Sequence, residues 1–94
     1  MSGDEDEDEI LPQTRLHPAI LTIQAQLLEE GIRRRRYTVI QTMDMSEEEI
    51  AKKLKDFDDY WIKHMKTELD AACRRLEAFM VRMYNLRRLR YEYL

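Results

Sequence analysis

At 94 residues with a formal charge of −3, the chain is at most one domain, near the size where a single core is only marginally adequate. Two glycines and two prolines leave few places to turn, which argues against turn-rich all-β and α/β plans; 37% charged and 44% apolar residues match long amphipathic helices. Cys73 has no internal disulfide partner, no apolar run approaches the ~18 residues of a membrane span, and the acidic N-terminus is unlike a signal peptide. These features predict a soluble protein of a reducing, intracellular compartment (cytoplasm or nucleus) with no membrane association.

In chain order, Met1–Glu9 includes six consecutive carboxylates at positions 4–9 and almost nothing to bury, so residues 1–17 read as a disordered acidic tail plus an extended connector. Pro12 discourages helix at Leu11. Pro18 suits the first position of a helix, and Ile20, Ile23 and Leu27, flanked by Leu21 and Leu28, form one apolar face. Gly31 is the expected C-terminal stop, giving a first helix over about 18–30, roughly 20 Å long.

Residues 32–45 (IRRRRYTVIQTMDM) are ambiguous. Tyr37, Thr38, Val39 and Ile40 favour strand, but a lone strand needs a partner, so a basic linker or short strand is expected ahead of continued helix. Ser46 followed by Glu49 is a capping box, with Met45 and Ile50 spaced as a hydrophobic staple. Beyond Ser46 there is no Gly or Pro, and apolar residues recur at steps of three and four to the C-terminus. The pattern predicts a long helix over about 46–93, roughly 70 Å if continuous, with Phe57–Leu69 the place where it would bend or break into a hairpin. The expected fold is all-α: one helical domain over 18–94, a short helix plus a long amphipathic one.

A short helix cannot cover so long a stripe, which implies a homo-oligomer or a heteromeric helical bundle. The expected interface is Leu54, Phe57, Trp61, Met65, Leu69, Leu76, Phe79, Met83 and Leu86; a Leu76→Asp, Phe79→Asp pair is the natural probe. The function that follows is a non-enzymatic assembly or scaffold subunit acting through protein–protein contacts.

The alternative is a nucleic-acid-binding helical dimer, regulatory or viral. Arg33, Arg34, Arg35 and Arg36 beside Tyr37 could grip phosphates. A second cluster, spanning Arg74 to Arg90 and including Arg87, Arg88 and Arg90, is interleaved with Tyr84 and Tyr91. Such runs more often form a solvated face paired with carboxylates.

No catalytic chemistry is expected: no serine or cysteine neighbours a base, and there is no glycine-rich phosphate loop. His17, His64 and Cys73 lack metal-ligand spacing, and Asp56, Asp58 and Asp59 lack a calcium-loop pattern. No cofactor, metal or small-molecule substrate is predicted.

Overall fold

The computed structural model describes residues 9–93, which form three helices and no strand: α1 (Pro12–Arg15), α2 (Pro18–Ile40) and α3 (Glu47–Tyr93). The fold is all-α, as expected. Residues 1–8, most of the expected acidic tail, lie outside the described residues. The longest dimension is 71 Å, the span of α3 alone, and the radius of gyration is 19.8 Å against about 12 Å for a compact chain of this size. α2 folds back antiparallel along the first part of α3, and α1 lies against both.

Two expectations are corrected. The connector is not wholly extended: Pro12–Arg15 makes one helical turn. Gly31 does not end the first helix, which continues to Ile40, so the stretch expected as linker or short strand over 32–45 is helix through its first nine residues. The long helix is as expected: α3 runs unbroken from Glu47 through Phe57–Leu69, the place named for a bend or break, and the hairpin is made by α2 with α3.

Local pairing and tertiary contacts explain why strand propensity loses at residues 32–40. Glu30 accepts from both Arg33 and Arg34, one turn on, with Arg34 Nε at 2.8 Å. The Thr38 hydroxyl donates to the Arg34 carbonyl at 3.0 Å, which accommodates a β-branched residue within the helix. Arg35 reaches across to Asp58 at 3.0 Å, and the Arg34 guanidinium lies 5.4 Å from the centre of the Trp61 ring. Reversal then occurs over residues 41–46 without glycine or proline. Buried Thr42 folds its hydroxyl onto the Val39 carbonyl at 2.6 Å, and its own carbonyl accepts the Met45 N–H at 3.0 Å.

Ser46 caps α3 as its sequence implies. Its hydroxyl oxygen accepts the Glu49 N–H at 3.2 Å while the hydroxyl donates to the Glu49 carboxylate at 3.0 Å. α2 starts differently: Pro18 occupies its first position and the Nδ1 of His17 accepts the Ala19 N–H at 3.0 Å.

The core has two parts. Near the chain start, Ile10 and Ile20 pack with Ala72 and Cys73, flanked by Ile23, Leu69 and Leu76. Farther along the hairpin, Trp61 packs on the backbone of α2. An added Cβ on Gly31 would stand only 2.7 Å from Trp61 Cδ1 and 3.0 Å from Cε2, so glycine is required here for close approach. The indole N–H donates to the Leu27 carbonyl at 3.2 Å, and the ring is stacked on Phe57 and tilted against His64.

Candidate interaction surface

α2, at 23 residues, spans roughly 35 Å rather than the expected 20 Å, and so covers more of the α3 stripe than its sequence suggested. The expected interface residues therefore divide. Trp61 is buried, while Leu54, Phe57, Met65, Leu69 and Leu76 are half-buried in or beside the hairpin core. Phe79, Met83 and Leu86 are exposed at 52%, 37% and 61%. The stripe is one continuous line on α3, but the structure gives its first two-thirds to α2 and leaves the rest uncovered.

The division falls where α1 docks. Glu77 accepts the Leu11 N–H at 3.0 Å and the Thr14 hydroxyl at 2.7 Å, and Arg15 pairs with Asp70 at 3.1 Å. Leu11 has no side-chain cap to offer the N-terminus of α1; the Glu77 carboxylate of α3 instead satisfies the Leu11 N–H and the Thr14 hydroxyl and so ties this turn to α3. The Thr14 hydroxyl, followed by the Leu11 amide, holds the Glu77 carboxyl below the usual carboxylate range. Beyond Glu77 no described residue of α1 or α2 lies over the stripe, and every described side chain from Ala78 to Arg90 is exposed.

This overhang has a strong charge bias. Residues 78–93 carry Arg82, Arg87, Arg88 and Arg90 against Glu92 alone. Arg88 approaches Glu92 at 3.7 Å. The other expected cluster is arranged differently: Arg33 and Arg34 are tied to Glu30 and Arg35 to Asp58, while Arg36 lines a shallow apolar depression with Ile32, Val39 and Ile40. The four arginines thus do not form one free cationic strip.

A second uncovered apolar surface runs along one side of the hairpin, where Leu28, Ile32, Ile62 and Met65 line a shallow groove ending at the Arg15–Asp70 pair. Leu28, Ile32 and Ile62 were missing from the expected interface. Leu28 lies on the apolar face of the first helix, Ile32 joins that face only because α2 continues past Gly31, and Ile62 lies on α3 across the groove from them.

The remaining candidate chemistry resolves into packing. His64 stacks on Tyr60 with ring centres 6.0 Å apart, His17 caps α2, and Cys73 is fully buried. Burial pushes the Cys73 thiol up, away from the reactive thiolate. Asp56 and Asp59 pair with Lys52 and Lys55 along the outer face of α3. Among the described residues, no helix is long and apolar enough to cross a membrane.

No family model, no curated protein and no solved structure matches this chain.

Proposed function

We propose that the protein is a non-enzymatic helical assembly subunit of the cytoplasm or nucleus, whose hairpin is a base and whose α3 overhang is the contact surface. One observation carries this reading: α3 continues past the hairpin with Phe79, Met83 and Leu86 still in register with the buried stripe and exposed. Burying each such side chain is worth about 1.5–3 kcal/mol, so covering three supplies a driving force of several kcal/mol before the cost of association.

The probe is a Phe79→Asp, Leu86→Asp variant, compared with wild type by light scattering over about a hundredfold concentration range and by co-purification from the native source. The helical melt should match wild type, while association is lost. Unchanged mass and unchanged partners would remove the overhang as an assembly surface. Leu76 is avoided because it packs against the hairpin core.

Nucleic-acid binding remains the second reading, favoured by the exposed arginines of the overhang rather than by Arg33–Arg36. Phosphate-driven binding weakens steeply with salt, so absence of binding to duplex or single strands at low salt would eliminate it.

A further inference from the structure

Resting on the assembly reading, we infer that the overhang of α3 receives an acidic amphipathic helix from a different protein. The described overhang, residues 78–93, offers it 16 residues or roughly 24 Å of helix. At about 100° per residue, Phe79, Met83 and Leu86 fall on one narrow stripe, with Arg82 on one side and Arg87 on the other, while Arg90 stands on the stripe itself one turn beyond Leu86. Charges beside an apolar seam set partner choice by attraction and by repulsion. Here they select carboxylates.

The other occupants on hand fit less well. A second overhang would bring another Arg82, Arg87, Arg88 and Arg90 against the first, with only Glu92 on each side to offset them. The acidic first turns of α3 have already turned Leu54 and Phe57 toward the hairpin, where both are half-buried. Residues 4–9 offer six carboxylates but no apolar side chain to cover Phe79 or Leu86. A phosphate backbone has the charge but likewise leaves the apolar stripe in water.

The experiment uses the full chain and two fluorescent amphipathic peptides of about 18 residues, with the same leucine stripe flanked by glutamate in one and lysine in the other. The glutamate peptide should bind roughly tenfold or more tightly than its lysine twin, with the gap narrowing at high salt. A triple variant, Arg82→Glu, Arg87→Glu, Arg90→Glu, should reverse the preference, and Phe79→Asp, Leu86→Asp should abolish binding of either peptide. Equal binding of the two peptides, or an unreversed preference in the triple variant, would overturn the inference. A wild-type dimer split by Phe79→Asp, Leu86→Asp would also overturn it, in favour of a second copy, while leaving the assembly reading intact. If that double variant changes neither mass nor peptide binding, both fall.

Discussion

Gly31→Ala separates two opposed effects at the helix crossing. In an exposed helix interior the substitution would stabilise by about 1 kcal/mol, because alanine is the better helix former. At this position the new Cβ would sit 2.7 Å from Trp61 Cδ1, well inside contact distance. The indole cannot easily retreat: Phe57 stacks on it at 5.9 Å, His64 lies at 4.9 Å, and its N–H is held by the Leu27 carbonyl at 3.2 Å. Overpacking typically costs about 1–3 kcal/mol, and losing the indole hydrogen bond adds about 1 kcal/mol. The net expectation is destabilisation by about 1–3 kcal/mol, read by urea unfolding followed at 222 nm, with a fall in Tm of roughly 4–8 °C per kcal/mol. The decisive comparison repeats the substitution in a Trp61→Ala background. Without the indole, only the propensity effect remains, and Gly31→Ala should stabilise by up to about 1 kcal/mol. Stabilisation by Gly31→Ala in the wild-type background would refute the close-approach account of this glycine.

Two further expectations concern the docking of α1 and the core beside it. Because the folded-state carboxyl of Glu77 titrates below its unfolded value, its contribution to stability is present above the unfolded value and is lost as pH falls through the folded one. Amide exchange at Leu11 should therefore accelerate toward acid beyond its intrinsic pH dependence, and Glu77→Gln should remove that excess; an identical profile in the variant would contradict the docking role of Glu77. Cys73, fully buried with its thiol raised chiefly by desolvation, should react with a thiol-specific reagent at mildly alkaline pH at least about tenfold more slowly than in urea. Equal rates would mean that the packing of Ile10 and Ile20 over Cys73 is not maintained in solution.

The sequence is most informative where its signals are local. The Ser46–Glu49 cap, the unbroken stripe and the absence of turn residues after Ser46 specify α3 nearly to the residue. Gly31 shows the limit. A glycine after an apolar helical pattern reads as a stop, because its other use, letting a bulky group touch the backbone, depends on Trp61 thirty positions away. Part of the correction was nonetheless available: Glu30 stands at the right spacing to pair with Arg33 and Arg34, a helical signal set aside in favour of the β-branched run after it. Other contacts had no local trace. The link from Glu77 to Leu11 and Thr14 spans more than sixty residues, and nothing in PQTR marks it as a docking turn.

The placement of α2 along α3 also determines how the candidate surface is read. With a first helix stopping at Gly31, the whole line from Leu54 to Leu86 looks like interface. In the structure Ile20, near the start of α2, packs against Ala72 and Cys73 while the stretch past Gly31 runs toward Asp58, so the part through Leu76 belongs to the hairpin and the part beyond it is exposed. The two halves respond to charge for different reasons. An aspartate at Leu76 enters the cluster of Ile10, Ile20 and Cys73 and loosens the fold itself, so lost association in the Leu76→Asp, Phe79→Asp pair would carry no information about partners. An aspartate at Phe79 or Leu86 meets water in the free chain and harm arises only where another helix covers it. Assembly is therefore legible only in variants confined to the overhang.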